Sequence, residues 1–248
     1  MEIDKTINDN NQYKTFRVKI EPSLVNFEAL IVSPATEVDI LKMSEQKYLR
    51  KVETPLMYKE CTLKYIDSIP NSQIDWIKAI FSKEKETEKV LFRNDQFVVV
   101  TDEFDNKNKD DLHVLALTCD PSLRSIRDLR GEKHLSLLRN IRKAGYKALE
   151  ENFSLKSECV FAYINYLPSF YRFHVHFRPV STASLFYYLA EKAMHLHILE
   201  DAIFALKTNS SHYRYSNLSL FLGEKRHQSL LESFQKTDCI EDGHKCDF

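Results

Sequence analysis

Glycine is scarce in this chain: 248 residues hold only four, at Gly131, Gly145, Gly223 and Gly243. None lies in a Gly-rich phosphate loop, so neither a Walker-type nor a dinucleotide-binding fingerprint is present. A phosphate ligand would have to be held mainly by side chains. No apolar run approaches the roughly 20 residues of a membrane-spanning helix. The opening MEIDKTINDNNQ has no signal-peptide pattern, so the expected location is the cytoplasm or nucleus, with no membrane partner. The 35 Lys+Arg against 36 Asp+Glu leave a net charge of −1, which excludes a global electrostatic pull toward nucleic acid. Five cysteines, an odd number at irregular spacing, fit reduced thiols better than a disulfide framework.

What is present is an ordinary globular composition, 43% hydrophobic and 29% charged. Residues 1–11 are polar, and disorder is expected there. Tyr13–Ile20 and Phe27–Ser33 read as strands, bracketed by Pro22 and Pro34. A helical pattern from Thr36 to about Val52 offers Val38, Ile40, Leu41, Met43, Tyr48 and Leu49 as inner positions. Helices are expected over Leu56–Ser68 and from Gln73 through Trp76, then strands at Val90–Arg93, Phe97–Thr101 and Leu112–Thr118. Next come an amphipathic helix over Lys133–Asn152 and a strand at Cys159–Tyr166. A helix over Ala183–Leu206, a strand at Tyr213–Leu222, a final helix near His227–Gln235 and a frayed tail complete the pattern. Helices bracketing an antiparallel meander indicate the α+β class.

One stretch carries chemistry. From Arg172 to Arg178 the chain alternates strictly, with Arg172, His174, His176 and Arg178 on one side and Phe173, Val175 and Phe177 on the other. A strand sends successive side chains to opposite faces, so one face packs into a core and the other displays two imidazoles and two guanidiniums. Such a row suits phosphate, whose oxygens need donors and cations. Two histidines at i and i+2 could also share a metal, but no third His, Cys or carboxylate with convincing spacing lies near, and no metal or cofactor is expected. A plain hydrogen-bonded pair at a sheet surface is the bland alternative. The chemistry the row favours is nucleophilic catalysis at phosphorus, with one imidazole attacking and the other orienting it or giving a proton to the leaving group.

The stretch Tyr166–Phe177, YLPSFYRFHVHF, resembles the signature of the scavenger mRNA decapping enzymes, a branch of the histidine triad hydrolases. The resemblance extends in order over about residues 15–236, through Val32–Glu37, Ile74–Trp76, Asp110–Leu112, Ser125–Leu129, His134–Ile141 and Ser211–Phe221. It implies a histidine triad antiparallel sheet with flanking helices and a homodimer. It also implies cleavage of the triphosphate bridge of a methylated cap, releasing 7-methylguanosine monophosphate. By position His174 is the nucleophile and His176 the third triad histidine, while Trp76 would stack on the base and Asp102 would be one acidic contact to it. The implied division is a remnant of the family's N-terminal dimerisation domain over 12–70, a catalytic domain over 71–236 and a flexible tail over 237–248.

The departures are as informative. Arg172 stands at the first triad histidine, and Asn165 replaces another active-site histidine, so Arg172, Arg178 and Asn165 are the expected phosphate contacts. Arg93 stands where the family has a base-binding glutamate, and Phe104 where it has a phosphate-binding lysine; His113 and Phe170 replace tyrosines. Each lost charged contact should weaken cap binding by roughly 1–3 kcal/mol. Two functions are therefore open. The first is a pyrophosphatase acting on a capped or dinucleoside polyphosphate, and the second a degenerate relative that binds RNA, a ribosome or a protein.

Weaker signals remain. Cys239, His244 and Cys246 sit close together but match no standard zinc finger, and a flexible tail is the simpler reading. His195 and His197 fall on opposite sides of the expected 183–206 helix, and the resemblance makes His195 a substitute for a phosphate-contacting arginine. On the same helix, Leu185, Phe186, Leu189, Leu196, Leu199 and Ile203 read as core or dimer interface. The run Lys83–Lys89 reads as a solvated helix end, and Arg124, Arg127 and Arg130 as solvated charges or RNA-backbone contacts.

Overall fold

The computed structural model describes residues 2–9, 14–19, 27–31, 40–41, 44–82, 90–102, 112–180 and 196–241. Strands β1 (Glu2–Asp9), β2 (Lys14–Lys19) and β3 (Phe27–Ile31) form an antiparallel sheet in that order. The expected disorder of residues 1–11 is thus corrected, since Glu2–Asp9 pairs along β2 from Glu2 opposite Lys19 to Asp9 opposite Lys14. The expected helix over 36–52 is also corrected. Its second half is strand β4 (Tyr48–Glu53), paired with the distant β11 (Leu218–Gly223) from Glu53 opposite Leu218 to Tyr48 opposite Gly223. Apolar residues at helical spacing lost to a partner about 170 positions away that no local pattern reveals.

Thr54 then caps a helical segment, its hydroxyl accepting from the Met57 amide at 3.2 Å, with Pro55 in the first turn. The segment α1 runs through Pro55–Met57, a wider π-turn at Tyr58–Thr62 and Leu63–Ser68. Helix α2 (Asp75–Phe81) carries Trp76 as expected. Strands β5 (Val90–Arg93), β6 (Phe97–Asp102), β7 (His113–Thr118), β8 (Val160–Asn165) and β9 (His174–Pro179) all lie where their patterns put them. The crossover helix α3 (Gly131–Phe153) buries Leu135, Leu138, Ile141, Gly145, Ala148 and Leu149 at three- and four-residue spacing.

The expected 183–206 helix is replaced, where described, by edge strand β10 (Leu196–Ile198) and helix α4 (Leu199–Thr208). His195, Leu185, Phe186 and Leu189 lie outside the described residues. So do Phe104, the Asp105–Asp111 loop, Lys83–Lys89 and the His244–Cys246 end of the cysteine-rich tail. Helix α5 (His212–Tyr215) takes the start of the expected final strand, and α6 (Gln228–Glu241) runs past Lys236, where fraying was expected.

The central antiparallel sheet has the order β10-β8-β9-β7-β6-β5. The histidine strand β9 is therefore interior, with His176 opposite Leu115 on one neighbour and Tyr163 on the other. On one face Val99, Val114, Ala116, Ala162, Ile164, Val175 and Phe177 join the core beneath α3. Contact there is close enough that a Cβ on Gly145 would collide with the ring of Phe177. On the other face Val98, Val100, Leu115 and Leu117 pack with Ile77 and Ile80 of α2, with Trp76 and Phe170 at the margin.

One ionic cluster joins the early and late parts of the chain across the division expected at residue 70. Glu53 and Arg127 are both fully buried, with Arg127 Nη2 2.6 Å from Glu53 Oε2 and Nε donating to the same oxygen at 2.8 Å. Arg127 also donates to the carbonyls of Tyr213 at 2.9 Å, Ser216 at 2.6 Å and Glu53 at 3.0 Å. Glu53 accepts from Thr62 at 2.5 Å and from the Tyr166 hydroxyl at 2.8 Å. Arg127 is therefore neither solvated nor available to RNA, as the sequence reading had it.

Removing one partner of a buried pair leaves the other charge uncompensated. Glu53→Ala should lower unfolding free energy by about 3–5 kcal/mol in chemical denaturation. His197 on β10 lies edge-on to Tyr213, with ring centroids 5.7 Å apart. Burial, then Arg127 and His212, push its pKa down from the ordinary 6.5 to about 4. Between those values the unfolded chain holds the extra proton, so stability rises with pH and is lost on acidification from 6.5 toward 4. In denaturation at two pH values, His197→Gln should lose less stability on acidification than the native protein; equal losses would contradict the assignment.

Candidate active site

The histidine row survives in three dimensions. His174 and His176 project from one face of β9, both buried, at 3% and 7% exposure. His174 Nδ1 lies 2.7 Å from the carbonyl oxygen of Arg172. A carbonyl only accepts, so Nδ1 carries the hydrogen and the lone pair of the neutral ring is on Nε2. The ring of Phe170 stacks on His174 at 4.2 Å and 18°, and Trp76 meets Phe170 edge-on at 5.3 Å. Trp76, Phe170 and His174 thus form one aromatic series from α2 to β9.

His176 lies edge-on to His174, with centroids 4.7 Å apart, and stacks on Tyr163 at 4.7 Å and 3°. Its Nδ1 is 2.9 Å from His113 Nε2 and its Nε2 is 3.1 Å from Asn165 Nδ2. Asn165, expected on phosphate, is joined here to the second histidine. Arg178 is half-buried on the same strand face, opposite Phe161. Asp102 ends β6 in register with His113, and its side chain lies outside the described residues.

The other cations are engaged by backbone. Arg172, buried at 6% exposure, donates to the carbonyls of Cys119 at 3.2 Å and Thr118 at 3.4 Å. Its guanidinium carbon lies 5.7 Å from the centre of the Phe81 ring. Burial lowers its pKa from the ordinary 12.5, while its Nε has no hydrogen-bond partner among the described residues. Arg93 donates to the carbonyls of Ile80 at 2.6 Å and Phe81 at 3.2 Å, closing the C-terminal end of α2. A residue expected to oppose a cationic base is a helix cap. Cys119 lies near both arginines, yet burial, the larger effect, raises its thiol pKa.

Beside His174 a shallow depression is lined by Arg124, Ser125, Asn165, Pro168 and Phe173 among others. Arg124 reaches Asp67 at 2.6 Å. Its place at the depression was missed, because the sequence shows only a charge near a helix start. Among the described residues no cluster of three or more His, Cys, Asp or Glu is placed to hold a metal ion, and no helix is long and apolar enough to cross a membrane.

Known proteins resemble this chain in sequence. The family described as "Scavenger mRNA decapping enzyme C-term binding" matches residues 75–189, which hold α2, the central strands and the histidine row. The m7GpppX diphosphatase of Mus musculus is 32% identical over 92% of this chain and 66% of its own length. That of Rattus norvegicus is 31% identical over 92% of this chain and 67% of its own. That of Schizosaccharomyces pombe is 28% identical over 82% and 67%. The chain thus spans about two thirds of the length of these curated relatives. A solved structure of Hnt3 in complex with DNA and guanosine aligns over 69% of this chain at 18% identity and a TM-score of 0.36, too distant to bear on the site.

Because the Arg172 guanidinium braces the ends of β7 and α2, Arg172→Leu should cost about 1–3 kcal/mol of stability through the carbonyls it leaves unmet. Thermal denaturation beside inorganic phosphate titration separates the roles. A stability loss with phosphate affinity within twofold is expected, and the converse would make Arg172 a ligand contact.

Proposed function

We propose, because this chain belongs to the scavenger mRNA decapping enzyme family, that it is a nucleotide pyrophosphatase cleaving the triphosphate bridge of a capped or dinucleoside polyphosphate. The observation that carries the reading is the 2.7 Å contact of His174 Nδ1 with the Arg172 carbonyl. It fixes the tautomer whose Nε2 lone pair can attack phosphorus. A bond forms from Nε2 to phosphorus as the bridging P–O bond breaks, and the departing nucleotide takes a proton. Water then attacks the phosphoramidate, restoring Nε2 and releasing a nucleoside monophosphate. His176, edge-on to His174, assists through its hydrogen-bonded chain, and Arg178 adds a cation to the same strand face. Trp76 offers a π face to a base, and the resemblance assigns Asp102 as one acidic contact to it.

The resemblance that names these roles also implies a homodimer, and the homodimer and the expected cytoplasmic or nuclear location belong to the same proposal. A second reading, a non-catalytic factor binding RNA, a ribosome or a protein, is favoured by one observation. Phe170 covers a face of His174, and Arg93 and Arg172 are engaged by carbonyls.

Purified protein given methylated and unmethylated cap dinucleotides should release nucleoside monophosphate, and His174→Ala should cut the rate about a thousandfold or more. Turnover that survives His174→Ala would remove the nucleophile assignment. No turnover at high protein concentration, with cap analogue still bound, would favour the binding factor.

A further inference from the structure

His113 opens β7 and is buried at 8% exposure, on the far side of His176 from Asn165. Three side chains from three strands form a line: Asn165 Nδ2 to His176 Nε2 at 3.1 Å, then His176 Nδ1 to His113 Nε2 at 2.9 Å. An amide nitrogen can only donate, so His176 Nε2 is the acceptor. The neutral ring of His176 then carries its hydrogen on Nδ1, which donates to a bare Nε2 of His113. The two rings are parallel within 1° with centroids 5.1 Å apart, which sets the N–H of one end-on to the lone pair of the other. Tyr163, stacked on His176, holds that plane.

We propose that His113 is a positioning residue acting through His176. By accepting from Nδ1 it holds His176 in the Nδ1–H form, and that form keeps the amide nitrogen of Asn165 turned toward His176. The opposite end of the amide, Oδ1, is buried without a hydrogen-bond partner among the described residues, and Asn165 lines the depression beside His174. The chain of bonds therefore leaves a buried acceptor beside the depression, one that a hydroxyl donor would satisfy and a phosphate oxygen would not, once the depression opens to a ligand. The converse chain, with hydrogen on His176 Nε2 and the amide reversed, requires a donor at 113. Swapping residue 113 therefore discriminates the two.

This inference deepens the reading above and rests on it only for the use of the triad in turnover. The bond directions belong to the resting protein and remain measurable if no hydrolysis is found. Imidazole ring nitrogens are read by nitrogen-15 NMR on uniformly labelled full chain at about pH 8, above the ordinary imidazole range. His176 is assigned by comparison with His176→Gln. Expected in the native protein are a protonated Nδ1 on His176, a bare Nε2, and through-bond nitrogen–nitrogen couplings to both His113 and the Asn165 amide. His113→Phe should lose the single Nδ1–H form and the Asn165 coupling. His113→Gln, whose Oε1 can accept in place of Nε2, should keep both and rescues the case if the Phe variant does not fold. A protonated Nε2 on His176 in the native protein, or an unchanged Nδ1–H form in the Phe variant, overturns the proposal.

Discussion

Everything that delivers the histidines depends on one buried ion pair. Arg127 and Glu53 meet in a fully dry environment, where either charge alone would be very costly. The cluster is tolerable because it is saturated with hydrogen bonds from five places in the chain: β4, α1, the turn before α3, the 213–216 stretch and Tyr166. Tyr166 follows the end of β8 and begins the turn that leads to His174. Its hydroxyl on Glu53 anchors that turn from below, while Phe173 donates its amide to the Leu123 carbonyl at 2.9 Å. The placement of His174 is thus inherited from a salt bridge it never touches.

Above that anchor, the site is made by sorting donors from acceptors. His174 and His176 share a strand face, yet they are held differently. The first is tied to a backbone carbonyl of its own strand entrance, the second to side chains from both neighbouring strands. A backbone carbonyl is present whatever side chain stands at 172, so the tautomer of His174 does not depend on the arginine there. The side-chain contacts of His176 come from His113 and Asn165, and substitution at either end can alter them.

The sequence made the local features plain. Strict alternation over Arg172–Arg178 told which face of β9 would be apolar, and the pattern around Trp76 placed α2, because both signals span a few residues and rest on one side's burial. The failures have a common cause. β4 was taken for a helix because Leu49 and its neighbours fit either period, and only pairing with β11 decides. Arg127 was assigned to solvent because nothing near it announces Glu53, 74 positions earlier. Arg93 was set against a cationic base and Arg172 on phosphate because their charge is visible in sequence, while the carbonyls that engage them are not.

The pairing of β4 with β11 has a consequence for synthesis. Glu53 emerges from the ribosome long before Ser216 and the strand that covers its own. Contacts so distant in sequence form late, because the intervening chain must be closed into a loop first. Until then β4 offers an open edge with Tyr48, Leu49 and Val52 still exposed in the finished fold, the kind of edge that pairs with other chains. A nascent chain stopped before residue 216 would hold the central sheet and the Glu53–Arg127 pair yet lack the Ser216 carbonyl that Arg127 meets and the β11 cover for that edge. Such a fragment is a natural client for chaperones.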